Sequence, residues 1–251
     1  LLRQSKLNNN LFKGLLNIRS VNSRTAVNLA HKIHGKNPSE GTPIIVLHGL
    51  LGSKRNWESV SKNLASSTGM TVIATDLRNH GESPHESTHT YHDLASDVDQ
   101  LLSTLSISQA VVLGHSMGGR TAMVLALTSI SKLVIVDISP VSTPGLLNDF
   151  FPRLIEVMKT IDFQGAENVG QARNIAKDKI LASGIVPNAQ SAHFILMNVG
   201  VRYDKAIGWL VNIDTLKEYF DTIATFPTDL QGKTYPGPTL FIGGDQSNYL
   251  P

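Results

Sequence analysis

The residues that could do covalent chemistry are concentrated around one serine. Ala110-Val111-Val112-Leu113-Gly114-His115-Ser116-Met117-Gly118-Gly119 is a short apolar run that ends in the pattern Gly-x-Ser-x-Gly and passes into Arg120-Thr121-Ala122-Met123-Val124-Leu125. The β-branched run is too short for a helix and reads as a buried parallel strand, and the Ala/Leu/Met-rich continuation reads as a helix. Ser116 is therefore predicted on a strand-to-helix turn, in a strained backbone conformation that points its hydroxyl away from the sheet. Gly114 and Gly118 are required because a side chain at either would collide with the neighbouring strand and helix. A bare glycine-rich turn is the alternative, and the flanking strand and helix weigh against it. The chain has no cysteine, so a nucleophile must be a hydroxyl, a carboxylate or a lysine.

A second constellation surrounds His48 and Gly49. The apolar strand Pro43-Ile44-Ile45-Val46-Leu47 ends at His48-Gly49-Leu50-Leu51-Gly52-Ser53. A glycine-flanked loop at the carboxyl end of a central strand brings bare backbone N–H groups close to the crevice there, as an oxyanion site requires. The competing reading of His48-Gly49 is a tight turn with a structural histidine. Asp76-Leu77-Arg78-Asn79-His80-Gly81-Glu82-Ser83-Pro84-His85 is a long polar loop after the strand Met70–Thr75. His80 and His85 are candidate bases there, but a loop this polar is expected to spend such side chains on its own buried backbone.

The elements that must carry these residues follow one rhythm. Ala26–Ile33 alternates like a half-exposed edge strand, which leaves His31 and His34 as surface residues. Trp57–Ala65 reads as a helix, and Thr90-x-x-Asp93 as the capping box of an amphipathic helix carrying Leu94, Val98, Leu101, Leu102 and Leu105. Lys132–Val136 is another buried strand, ending at Asp137. Alternating strands and helices of this length predict an α/β fold with a doubly wound, mostly parallel sheet. From Val141 to about residue 228 the apolar strand runs stop. Helices are expected around Asp149–Thr160, Asn168–Ala182, Ser191–Asn198 and Thr215–Thr222, forming an all-helical lid in which His193, Phe194 and Met197 are core residues. Phe150, Phe151, Leu154, Met158, Ile161 and Phe163 could line an acyl pocket or pack the lid on the sheet, and packing is the expectation for most of them. The sheet resumes at Pro238-Thr239-Leu240-Phe241-Ile242-Gly243-Gly244. The chain thus divides into a leader (1–25), the first part of the core (26–140), the lid (141–228) and a resumed, truncated core (229–251). No phosphate loop, metal-ligand cluster or cofactor motif is present.

Composition narrows the classes further. The 251 residues carry 41% hydrophobic and 17% charged residues, an ordinary globular balance with a formal charge of +2. That charge is uneven: residues 1–39 hold seven basic and no acidic residues, leaving 15 basic against 20 acidic, a charge of −5, for the remainder. The body is mildly acidic, and nucleic acid is not an expected partner. Leu1, Leu2, Leu7, Leu11, Phe12, Leu15, Leu16 and Ile18 recur at helical spacing among Arg, Lys, Ser and Asn, the acid-free amphipathic pattern of a mitochondrial transit segment. No stretch reaches the length of a membrane span.

The order of these motifs resembles the α/β-hydrolase superfamily over residues 26–251. Strand, His48-Gly49, strand, Asp76-x-Arg78-x-His80-Gly81-x-Ser83, strand, Gly114-His115-Ser116-Met117-Gly118-Gly119, strand, insertion and strand follow in its sequence. The longer motifs, among them Arg78-Asn79-His80-Gly81-Glu82-Ser83-Pro84-His85 and Val136-Asp137-Ile138-Ser139-Pro140, look like a mitochondrial branch related to bacterial esterases and fungal ethanol acetyltransferases. The resemblance implies a lid inserted after the sixth strand. It also implies a serine hydrolase for small-molecule carboxylic esters, including acylglycerol-type lipids, with Ser116 as nucleophile and the amides of Leu50 and Met117 holding the oxyanion. His48, Gly49, Gly114, His115 and Gly118 would support them. Asp137 is the acid this branch implies, with Asp245, two residues ahead of the superfamily's usual position at Ser247, and Asp214 as alternatives. The superfamily's histidine falls after one more strand, a position none of the nine histidines occupies, so the last strand, a helix and the base are expected beyond Pro251. An acyltransferase or thioesterase on the same scaffold, and a non-catalytic binding protein, remain alternatives.

Overall fold

The computed structural model describes residues 26–127, 130, 132–141, 150–245 and 247. The basic leader, with its expected mitochondrial address, lies outside the described residues. Six strands form one sheet in the order β1-β3-β2-β4-β5-β8, where β1 is His31–His34, β2 Ile44–Leu47, β3 Val72–Thr75, β4 Val111–His115, β5 Lys132–Val136 and β8 Thr239–Ile242. All pair in parallel except β1, which runs antiparallel to β3. The helices α1 (Glu58–Thr68), α2 (Tyr91–Thr104) and α3 (Met117–Ala126) link the central strands. A mostly parallel sheet follows because β2 and β3 are buried at every position and carry only apolar residues and one threonine.

Register decides what the sheet presents. Leu47 pairs with Gly114, His115 with Val136, and Val136 with Ile242. The carboxyl ends of β4, β5 and β8 therefore stop level with one another, with β2 one residue short of them, and Ser116, Asp137 and Gly243 emerge in one row beside His48. Behind that row α3 is buried along its whole length. It lies close to the sheet because Gly119 leaves room for Ile138, whose Cγ2 would be only 2.5 Å from an added Cβ. The capping box of α2 forms as expected: the Asp93 amide donates to Thr90 Oγ1 and the Thr90 amide to Asp93 Oδ2, each at 3.1 Å.

The first strand is shorter than the sequence indicates, and His34 is buried rather than exposed, with Nε2 3.5 Å from Glu58. Ala30 O still accepts from Asp76 N–H (2.8 Å), but two amides ahead of the strand go to side chains: Val27 N–H donates to Asp97 Oδ1 (2.8 Å) and Ala30 N–H to Ser83 Oγ (2.9 Å). Five strands thus precede the insertion among the described residues, where the resemblance implied six.

The insertion contains α4 (Phe151–Lys159), α5 (Val169–Ala182), α6 (Ala189–Leu196), α7 (Ile213–Glu218) and α8 (Phe220–Ala224). Between α6 and α7 lies a two-stranded antiparallel hairpin, β6 (Val199–Val201) with β7 (Ile207–Trp209), so the segment is not all-helical. Strands of three residues are too short to produce a readable alternation. His193 and Phe194 are exposed on α6, correcting their reading as core, whereas Leu154, Met158 and Ile161 are buried as packing residues. The insertion is tied to the polar loop by Asn212, whose amide donates to Asn79 O (2.9 Å) and whose side chain donates to Asn79 Oδ1 and Glu86 O. It is tied to α3 by the buried Arg120, which donates to Ile223 O (3.0 Å).

Candidate active site

Ser116 follows β4 with φ +51° and ψ −117°, a left-handed conformation that serine rarely adopts. Its amide donates to Val136 O (3.0 Å) and its carbonyl accepts from Arg120 N–H (3.1 Å), so strand and helix hold the turn from both sides. Two glycines make the turn possible. A Cβ on Gly114 would lie 2.2 Å from Gly118 O, and one on Gly118 would lie 2.4 Å from Leu47 O. No larger residue fits either place.

Asp137 occupies the corresponding place at the tip of β5, also left-handed at φ +56°. Its amide donates to Ile242 O (2.8 Å) and its Oδ1 accepts from Gly244 N–H (3.2 Å), which binds the carboxylate to the turn after β8. Ser116 and Asp137 are thus neighbours in register on adjacent strands. The other two candidate carboxylates are more exposed, and Asp245 adjoins Gly244 in the turn that meets Asp137. Asp214, in the first turn of α7, has an 81% exposed side chain paired with Lys159 at 2.5 Å. Asp245 lies in the exposed turn after β8.

The loop after β2 folds over Ser116. A Cβ on Gly49 would approach His115 Nδ1 to 2.9 Å and Ser116 Cβ to 3.2 Å, so this backbone lies directly against the serine. The next residue is Leu50. Gly52 N–H closes the turn on Gly49 O (2.9 Å), and Leu51 is left-handed at φ +57°. Met117 opens α3, where a backbone amide has no intrahelical acceptor and sits at the positive end of the helix dipole.

Three buried histidines brace this arrangement. His48 Nδ1–H donates to Gly49 O (2.8 Å) while its Nε2 accepts from Leu77 N–H (2.9 Å). His80 Nδ1–H donates to Arg78 O (3.0 Å) while its Nε2 accepts from Leu51 N–H (3.1 Å). His89 Nδ1 accepts from Asn79 Nδ2 (3.2 Å), which leaves its Nε2–H facing Met117 Sδ at 3.3 Å. Their rings follow one another at 5.0 and 5.6 Å between centroids. Each ring has one nitrogen that must accept, so each is neutral. Burial is the main cause that lowers all three pKa values, His89 to about 3, and the neighbouring rings oppose charge on His80 further. His80 is thus spent on backbone, as the polarity of its loop led one to expect, and His85 is bonded to Leu210 O at 3.3 Å.

His115, beside Ser116, packs its ring against Gly49 and lies 6.3 Å from Trp57; burial lowers its pKa and Asp137 opposes that shift. No histidine ring nitrogen is hydrogen-bonded to Ser116 or Asp137 among the described residues. Behind the loop Arg78 is buried in a bidentate pair with Asp97 (2.6 and 2.7 Å). Breaking such a pair costs about 3–5 kcal/mol, so it fixes the path of the polar loop. Among the described residues there is no cluster of three or more potential metal ligands, and no helix is long and apolar enough to cross a membrane.

No motif marks His89, Leu51 or Asn198 in the sequence, and the polarity of its loop does not show that His80 reaches Leu51 N–H. Asn198 in particular carries no motif; its Nδ2 donates to Leu51 O (2.8 Å), and Leu210 N–H, at the other end of the hairpin, holds its carbonyl (2.7 Å).

Comparison with known families places the arrangement. A family model described as the α/β hydrolase fold matches residues 42–251. The chain belongs to the α/β-hydrolase fold family. Within that family it is 38% identical over 235 residues to the sn-1-specific diacylglycerol lipase ABHD11 of Danio rerio, an alignment that covers 92% of this chain and 71% of the relative. A probable alcohol acetyltransferase of Saccharomyces cerevisiae is 32% identical over 224 residues, covering 83% of this chain and 64% of that one. Among solved α/β-hydrolase structures, a marine microorganism esterase matches with a TM-score of 0.77 and 29% identity, covering 90% of this chain and 84% of the other.

Proposed function

We propose that the chain is a serine hydrolase of carboxylic esters, with acylglycerols as its substrate class. The observation that carries the reading is the pair of left-handed residues Ser116 and Asp137 at the tips of two adjacent parallel strands, with the Gly49–Leu50 backbone folded against the serine. Strain of this kind costs about 1–3 kcal/mol per residue and is kept where a geometry has to be held for chemistry. The names of the Danio rerio lipase and the marine esterase support ester hydrolysis, and the first of them supports a diacylglycerol.

In this reading Ser116 Oγ adds to the ester carbonyl, and the amides of Leu50 and Met117 donate to the oxygen as it becomes negative. The serine proton passes to a histidine oriented by Asp137 and from there to the leaving alcohol, giving an acyl-serine that water hydrolyses. The step requires a base in hydrogen-bond reach of both Ser116 and Asp137, and none of the nine histidines described is hydrogen-bonded to either. His48, Gly49, Gly114, His115 and Gly118 shape the turn rather than transfer protons.

Acyl transfer to an alcohol is the second reading, favoured by the yeast relative. Both share the acyl-serine and differ in the acceptor. The test is to incubate the protein, expressed from its natural transcript, with a diacylglycerol and to follow products with and without ethanol. Free fatty acid and monoacylglycerol are expected in either medium. Ethyl ester as the main product would replace hydrolysis by transfer, and no release above the Ser116→Ala background would remove both.

A further inference from the structure

Leu51 is a buried, non-glycine residue in the left-handed region, 1% exposed at φ +57°, and its peptide groups are held from opposite sides by two side chains. Its N–H donates to Nε2 of His80, on the loop after β3, at 3.1 Å. Its carbonyl accepts from Nδ2 of Asn198, in the insertion, at 2.8 Å. Asn198 is itself 3% exposed and fixed: its Nδ2 also donates to Ile195 O (3.2 Å), and its carbonyl accepts from Leu210 N–H (2.7 Å) at the base of the β6–β7 hairpin. We infer that His80 and Asn198 are positioning residues that set the direction of the Leu50 amide by clamping the Leu51 peptide between the core and the insertion. The inference rests on the proposed role of the Leu50 amide as an oxyanion donor.

A branched side chain leaves the left-handed region unless its surroundings over-determine it. Here the surroundings are two hydrogen bonds from elements separated by more than a hundred residues. If either bond is lost, Leu51 can relax toward negative φ, and relaxation of its backbone rotates the peptide that precedes it, which carries its own N–H and the Leu50 carbonyl. The turn from Gly49 to Gly52 then changes pitch, and the Leu50 amide changes direction with it. An oxyanion donor acts on charge that develops only in the transition state, so its misdirection lowers kcat and leaves substrate affinity almost unchanged. The same clamp gives the insertion a direct mechanical connection to the reacting carbonyl, through the residue that leads into its hairpin rather than through any contact with the acyl chain.

The experiment compares Asn198→Asp, His80→Leu and His80→Gln in the protein expressed from its natural transcript, with ester turnover, thermal midpoint and amide exchange at Leu51 as readouts. Asn198→Asp keeps the shape and replaces the donor by a carboxylate facing a carbonyl. His80→Gln keeps an acceptor, since its Oε1 reaches the place of the ring Nε2, whereas His80→Leu removes it. In Asn198→Asp and His80→Leu, kcat should fall about 10- to 100-fold with KM within about twofold, the size expected from a small misplacement of a reacting group. Exchange at the Leu51 amide should accelerate in the same two variants, and His80→Gln should stay within about threefold of wild type. Folded Asn198→Asp with wild-type kcat, or His80→Gln falling as far as His80→Leu, would overturn the inference. If His80→Leu does not fold, Asn198→Asp and His80→Gln carry the comparison alone. Turnover indifferent to Ser116→Ala would instead remove the underlying reading, so the two failures are distinct.

Discussion

Asp137→Asn is expected to lower ester turnover by about ten-thousandfold, the loss seen when a triad acid is replaced by its amide and the histidine takes the wrong tautomer. The substitution isolates the electrostatic role because it disturbs little else. Asparagine tolerates positive φ at least as well as aspartate, so the φ of +56° adds no strain. Its Oδ1 can still accept from Gly244 N–H, the bond that ties this turn to the one after β8. The thermal midpoint should therefore stay close to wild type while activity collapses. Asp214→Asn and Asp245→Asn provide the contrast. The first removes an exposed ion pair with Lys159, a contact of the kind that contributes about 0–1 kcal/mol. The second changes an exposed turn. Neither should alter turnover by more than about twofold. A collapse in Asp245→Asn with Asp137→Asn active would transfer the acid to the turn after β8.

The second large effect is acid lability set by the buried histidines. His48, His80 and His89 are neutral in the folded chain with pKa values lowered below 6.5, His89 to about 3, chiefly by burial. In the unfolded chain all three titrate near their ordinary value of about 6.5. Above that pH both states are neutral and stability does not depend on these groups. As pH falls below it the unfolded state binds protons that the folded state refuses, so stability declines. Each group that stays neutral in the fold adds a limiting slope of about 1.4 kcal/mol per pH unit. His115, also lowered by burial, acts in the same direction. Carboxylates with lowered pKa values, such as Glu58 (to about 2) and Asp93, lose their stabilising contribution progressively from about pH 5 downward, so the first decline below pH 6.5 is assigned to the histidines. Thermal midpoints measured from pH 8 to 5 should be level above pH 7 and fall steeply below 6.5. His80→Gln, which cannot titrate, should reduce that slope, and a flat profile down to pH 5 would show that the cluster is not held neutral.

How far the sequence was legible depended on whether a feature is local. The elbow at Ser116 was readable because a β-branched run, two glycines and a helix-forming continuation lie within about fifteen consecutive residues, and each has its own steric reason. Asp137 was readable as the carboxylate that ends an apolar strand run, and the helices expected around Asp149–Thr160 and Asn168–Ala182 form over Phe151–Lys159 and Val169–Ala182. The hairpin at 199–209 was not, since three-residue strands carry no period, and its presence is what delivers Asn198 to the Leu51 carbonyl. The shortening of β1 depended on Asp97 and Ser83 taking backbone amides from residues 27 and 30, pairings across 70 and 53 residues. The histidine row is of the same kind. Polarity suggested that His80 would satisfy backbone, yet only the fold reveals that the backbone in question is the loop against Ser116.

The most direct measurement is labelling by a fluorophosphonate probe of the protein expressed from its natural transcript, wild type beside Ser116→Ala. Such a probe phosphonylates a serine only when a base is in place to take its proton and amides are in place to receive the phosphonyl oxygen. Stoichiometric labelling of the wild type at Ser116 is expected, and none in Ser116→Ala. A folded wild type that remains unlabelled would contradict the hydrolase reading and leave a hydrolase fold kept for binding.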